Sequence, residues 1–154
     1  METLHERVRI QWVVGTAIGG VVLAGVVFLL GSVESWFPQT LAAAGVLVVV
    51  LGLGVGHASA LYRDWRFELQ DDALYLERGV VTRVETAVPY VRVQHVDTQR
   101  TPLDRALGLS RVVVYTAGSR GADVTVPGLV PERARELRNK LRELAVAAEP
   151  EDAV

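Results

Sequence analysis

With 154 residues, half of them hydrophobic and only 6% aromatic, the chain has room for one small domain plus an anchor. It has no cysteine, which excludes disulfides, thiolate catalysis and cysteine-held metals. Its 16 basic residues stand against 18 acidic ones, a net charge of −2, so the strongly basic field of a nucleic-acid binder is absent.

The apolar content gathers in the first 61 positions, as in a membrane protein. Residues 1–11 read as a cytoplasmic tail. Residues 12–31 and 41–61 are uncharged runs, the second interrupted only by His57. About 20 residues of helix cross the ~30 Å hydrocarbon core, so residues 12–61 are expected to form a transmembrane helical hairpin with an outside loop over 32–40. The first run is long for a signal peptide, lacks a small-residue cleavage site and leads at once into a second span, so it reads as retained.

Arg7 and Arg9 precede the first span, Arg63 and Arg66 follow the second, and the loop has no Arg or Lys. The positive-inside rule then places both termini in the cytoplasm, giving a multi-pass protein of the plasma (inner) membrane. Trp12, Trp36, Phe37, Tyr62 and Trp65 fall at the span ends, where interfacial aromatics collect. Arg7, Arg9, Trp12, Trp36, Tyr62, Arg63, Trp65 and Arg66 are therefore the expected membrane-interface anchors. Gly15-xxx-Gly19 and Gly52-xxx-Gly56 have the spacing that lets two helices approach within a hairpin. His57, near the interface, is read as an interfacial or packing residue able to snorkel.

From Trp65 the apolar period becomes two, and residues 62–148 read as a cytoplasmic β-rich domain. Strands are expected around Trp65–Leu69, Leu74 and Leu76, Val80–Val88, Val91–Val96, Arg111–Thr116 and Ala122–Pro127, with a turn-rich loop over 117–121. Between them Thr101 caps, Pro102 suits a first helical position, Asp104 favours the first turn and Gly108 ends one short helix. Pro131 opens a last helix whose Ala134, Leu137, Leu141, Leu144 and Ala148 make an apolar stripe. Packing of that stripe on its own sheet is expected, with a Glu136–Lys140 pair on the wet face. Residues 149–154 read as an acidic disordered tail.

The fold expected is thus α+β: an N-terminal two-helix transmembrane hairpin, six or seven antiparallel strands in a small barrel or bent sheet, and a capping amphipathic C-terminal helix. Tyr62-Arg63-Asp64-Trp65, Gly79-Val80, Val88-Pro89-Tyr90, Arg92-Val93-Gln94-His95-Val96-Asp97, Pro102-Leu103-Asp104-Arg105, Gly108-Leu109 and Thr116-Ala117-Gly118 occur in that order. In these residues, and in the hairpin before them, the chain resembles the bacterial pleckstrin-homology-like membrane proteins, specifically the YdbS-like, membrane-flanked group. The resemblance implies a PH-like bent antiparallel barrel or sandwich with a closing helix, membrane localisation and no known catalytic activity. It does not supply a ligand. The first hairpin loop, Gln70-Asp71-Asp72, is acidic and speaks against an inositol-phosphate pocket, which needs several cations.

The residues themselves offer no catalytic grouping. His5, His57 and His95 are scattered over tail, span and strand, Ser110 and Ser119 have no neighbouring base, and no phosphate loop or HExxH is present. No enzyme activity, cofactor or metal is expected. Arg92, Gln94, His95, Arg105 and Arg111, with Asp97, form the candidate partner or ligand surface. In the structural reading Arg92 and Arg105 pair with acids such as Asp97 and Asp104, while Gln94 and His95 fasten the strand-to-turn crossing.

Besides the lipid bilayer, the expected partner is another membrane or membrane-associated protein, or a second copy of the chain. The protein then binds or assembles proteins at the cytoplasmic membrane face. A lipid-headgroup sensor is the alternative, and a transporter or channel subunit a third reading that two spans with only His57 ionisable support poorly.

Overall fold

A computed structural model describes residues 1–32, 38–118 and 123–148. Trp36, Phe37, most of the interhelix loop, part of the 117–121 loop and the acidic 149–154 tail lie outside the described residues. The chain forms two compact units, one of Arg9–Arg63 and one that joins Met1–Val8 to Asp64–Val154.

In the first unit, α1 (Val8–Gly31) and α2 (Gln39–Asp64) have 24 and 26 residues. At 1.5 Å per residue each exceeds the ~30 Å hydrocarbon core. Both are long and apolar enough to cross a membrane, and only 11% of each apolar window is buried. A core helix of a soluble protein would be mostly covered, so this outward surface has the composition of a lipid-facing one. The helices meet at Gly20, beside Leu47 and Val50, and at Gly54, where a Cβ would stand 2.4 Å from Thr16 Cγ2. Gly15, Gly19, Gly52 and Gly56 have nothing within 4 Å of a would-be Cβ. The expected glycine pairs therefore do not make the helix contact; Gly54 does, because it lies on the face turned to Thr16.

The second unit contains two antiparallel sheets. β1 (Glu2–Thr3), β2 (Arg66–Leu69), β3 (Ala73–Arg78) and β4 (Val84–Pro89) form one in chain order, and β5 (Val93–Gln99), β6 (Ser110–Thr116) and β7 (Val124–Leu129) the other. Period-two alternation builds the core: Phe67, Leu74, Leu76, Val112, Val114 and Val126 are buried while Arg66, Glu68, Tyr75 and Glu77 reach solvent or its edge. Leu137 and Leu141 of α4 (Pro131–Ala147) are fully buried, and α4 lies on β5 and β6 of its own chain. The stripe fades at Leu144 and ends at exposed Ala148.

Several expectations are corrected. Residues 1–8 are no free tail: Glu2 pairs with Phe67 and Thr3 with Arg66, His5 N–H donates to Gly128 O at 2.8 Å, and Leu4 and Val8 are buried. β4 starts at Val84, because Gly79 (φ 110°) opens a turn through Arg83. Val91 lies in a 3₁₀ turn, Tyr90–Arg92, and only Val93 begins β5. Buried Tyr90 fixes that corner by donating its hydroxyl to Gln70 O at 2.6 Å. Burial, then Asp72 and Asp71, push that hydroxyl's pKa up. Glu136 is held by Arg133, not Lys140, and Lys140 reaches Glu143 instead. Arg133 also holds Glu2, joining β1 to α4.

Candidate partner-binding site

The short helix α3 (Pro102–Leu107) organises the signature segment. Thr101 and Asp104 make a capping box, Pro102 opens the first turn, and Gly108 closes the helix at φ 66°, a left-handed conformation that suits glycine. Asp104 is fully buried. Its Oδ2 accepts from Thr101 N–H and Thr101 Oγ1, both at 2.8 Å, and from Arg111 Nε and Nη2 at 3.0 and 2.8 Å. Burial is the strongest single influence and pushes the carboxyl up. The Thr101 bonds, then the Arg111 bonds and charge, together outweigh it, leaving the pKa below the ordinary value.

This arrangement corrects the expected pairing. Asp104 takes Arg111 rather than Arg105, because Arg111 on β6 faces the start of α3 whereas Arg105 is exposed. Asp97 takes His95, Nε2 to Oδ1 at 2.8 Å, rather than Arg92. His95 and Asp97 are two apart on β5 and so share one face. Arg111 is thereby committed to a structural bond with its side chain 24% exposed, which leaves little of it to meet a partner.

The other candidates separate into three places. Arg92 borders an opening of about 390 Å³ between the sheets, beside Val88, Pro89, Thr116, Ala117 and Gly118 of the signature. Gln94 and His95 border a second cleft, of about 600 Å³, between β5 and α4. Arg105 is an exposed residue of α3, away from both clefts. Gln94 sits where the β5–β6 register shifts between Val93 and His95, a bulge that turns this end of the strand outward. The His95 ring lies 5.8 Å from that of Tyr115.

The β5–α4 cleft brings in residues that sequence reading passed over. Residues 93–97 form one wall; Arg138, Arg142 and Val146 stand on the other. Arg138 and Arg142 are one helical turn apart, and that spacing beside the apolar stripe was the available signal. Arg138 bonds only its neighbour Asn139, and Arg142 has no hydrogen bond or ion pair among the described residues. With His95 paired to Asp97, the cleft carries a positive excess. Among the described residues no cluster of three or more His, Asp or Glu has the geometry to hold a metal.

The expected membrane anchors divide likewise. Trp65 is 4% exposed and packs edge-on to Phe67 at 6.3 Å, so it belongs to the core of the sheet unit and not to an interface. Arg7 lies in the same unit, its Nη1 donating to Leu107 O at 3.4 Å. Arg9 stacks over Tyr62 in the hairpin unit, 4.8 Å from the ring centroid. Trp12 is half-buried, while Arg63, Arg66 and His57 are exposed.

Two antiparallel sheets closed by a C-terminal helix, covalently continuous with two membrane-capable helices, define a membrane-associated PH-like module. The family described as Bacterial PH domain matches residues 13–145, hairpin included, and the chain belongs to it. It is similar to the transmembrane protein YdbS of Bacillus subtilis (strain 168), 33% identical over 84 residues that cover 54% of this chain and 51% of YdbS. The chain thus matches about half the length of that curated relative. No solved structure matches it.

Proposed function

We propose that this protein is a non-catalytic, membrane-anchored PH-like module that binds or assembles proteins at the cytoplasmic face of the plasma (inner) membrane. The observation that carries the reading is the β5–α4 cleft, a concave, mainly polar surface to which Val93, Val96 and Val146 add apolar contact and in which Arg142 has no partner among the described residues. Cationic side chains lining a concave surface can pair with anionic groups of a partner.

The multi-pass topology has two supports. Charge asymmetry supports a cytoplasmic position for both flanks of the hairpin. Independently, β1 and β2 are hydrogen-bonded neighbours, a pairing that supports residues 1–8 and 64–148 lying on one side of the membrane.

The test is affinity purification of the full chain from membranes, with wild type and R142A in parallel. A specific partner or a defined oligomer is expected. Recovery of monomer alone from intact wild type would sink the assembly reading.

One observation favours headgroup sensing as a second reading. Val81 is 95% exposed at the β3–β4 turn, between Arg78 and Arg83, and anionic lipid attracts each nearby basic residue by about 1 kcal/mol. Hydrogen exchange in bilayer discs decides it. Protection of residues 79–83 that rises with phosphatidylglycerol content supports lipid contact, and unchanged protection removes it.

A further inference from the structure

The β5–α4 cleft has a geometry more specific than a generic pocket. Successive residues of a strand point to opposite faces, so a cleft bordered by five consecutive residues, 93–97, runs along the strand's edge rather than over either face. Among the described residues β5 is the terminal strand of its sheet, with β6 on one side only. Its other edge therefore offers main-chain N–H and C=O groups to this space. The bulge at Gln94 interrupts the edge at one end, and regular pairing continues from His95 to Gln99. Opposite, Arg138, Arg142 and Val146 succeed one another at helical spacing over about 12 Å of α4. Four residues of extended chain span a similar ~13 Å.

An edge strand facing a basic helix wall suits one kind of occupant. We infer that the free edge of β5 takes an extended, acidic segment of a partner protein as an added strand, its carboxylates meeting Arg138 and Arg142. Main-chain pairing with β5 provides the generic part of the recognition, and alternate side chains facing α4 provide selection. Acidic residues satisfy the two arginines, while β-branched ones lie against Val93, Val96 and Val146. Basic segments meet like charge and are rejected. This rests on the assembly reading above and names the chemistry of the partner.

The probe is a blocked, fluorescein-labelled octapeptide alternating valine with glutamate, titrated at low salt by anisotropy onto the full chain in neutral phosphatidylcholine discs. The glutamate peptide binds, and a valine–lysine counterpart binds at least about tenfold more weakly. R138E/R142E, and more mildly R138A/R142A, lower affinity for the glutamate peptide, the reversal by at least about tenfold. N-methylation of alternate peptide amides, which removes donors from one edge and leaves charge intact, lowers it similarly.

Equal binding of the two peptides, or indifference to both arginine variants, overturns the proposal, and so does indifference to N-methylation. If the arginine variants change only recruitment of phosphatidylglycerol vesicles, the surface serves lipid and the proposal is equally overturned. Failure here is separable from failure of the assembly reading. A partner still co-purifying with R138E/R142E leaves that reading standing, whereas absence of any partner or oligomer from wild type removes it.

Discussion

Replacing Arg111 by methionine removes two of the four hydrogen bonds to Asp104 Oδ2 and the guanidinium that balances its charge. Methionine fills much of the same volume, so little of the effect comes from a cavity. Breaking a fully buried ion pair costs about 3–5 kcal/mol. Because the Arg111 side chain is 24% exposed, solvent screens part of the attraction, and about 2–3 kcal/mol is the working figure. For a unit of about 100 residues this lowers the melting temperature by roughly 10–20 °C.

The pH dependence carries the sharper signature. In the wild type the Asp104 carboxyl has a depressed pKa. Its stabilisation is therefore present above the ordinary carboxylate value and lost as pH falls through the depressed one. Without Arg111 two of the bonds and the charge that lower the pKa are gone and burial is opposed by Thr101 alone, so the pKa rises and the variant, penalised at neutrality, is relieved by protonation in acid. Melting followed through Trp65 fluorescence, with Trp12 and Trp36 changed to Phe, is expected to show the full deficit at pH 7.5 and less than half of it at pH 4.5. A deficit under about 3 °C, or one equal at both pH values, would refute the assignment of Asp104–Arg111 as the structural ion pair.

Leu4→Ala empties a site only 2% exposed and is expected to cost about 2–3 kcal/mol. Faster hydrogen exchange in β2 as well as β1 would show that the N-terminal segment is part of the sheet. Gly108→Ala keeps enough room, its Cβ meeting nothing closer than Arg7 Nη1 at 3.4 Å. The left-handed φ alone then costs about 1 kcal/mol, measurable as a melting shift. Gly54→Ala drives a methyl into Thr16 and should weaken hairpin packing by about 1–3 kcal/mol; partial rescue by Thr16→Gly would distinguish this contact from a general helix defect. For topology, Thr3→Cys and Arg83→Cys, each the sole cysteine in the chain, should react with an impermeant maleimide in inverted vesicles and not in intact cells. Labelling of either from outside contradicts the proposed orientation.

Local signals made most of the fold legible in the sequence. The capping box at Thr101–Asp104 and the left-handed Gly108 are decided by side chains within a few residues of one another, as are the alternation at Phe67, Leu74 and Leu76 and the Leu137–Leu141 stripe. What escaped is long-range. Nothing within residues 1–8 reveals that their pairing partner lies beyond both helices, so they read as a tail. Arg111 and Arg105 are equivalent by composition, and only the β6 register places one of them at the buried carboxylate. Trp65 stands at a helix end as an interfacial tryptophan would, and the same position immediately precedes β2 and is buried in the core of its sheet unit. Half of the β5–α4 cleft was visible as Gln94 and His95; the other half waited on which face of α4 turns toward β5.

The strand formed by Glu2 and Thr3 bears on the order in which the protein assembles. It is synthesised ahead of both helices and can pair only after them, because β2 appears once both helices have been made. Until then its partners are missing, and once they arrive the contact must close across the entire hairpin. Insertion of α1 and α2 side by side, with Arg9 already stacked on Tyr62, brings the hairpin's two ends together and removes most of the chain entropy that closure would otherwise cost. In the proposed multi-pass topology the bilayer thus acts as a folding template for the water-exposed part of the molecule. A fragment cut at residue 62 would keep β2 but present it as a bare edge, with the hollows for Leu4 and Val8 open, a form prone to pair with its own copies. Biochemistry on the isolated domain therefore calls for residues 1–8 to be spliced back ahead of β2 by a short linker in place of the hairpin.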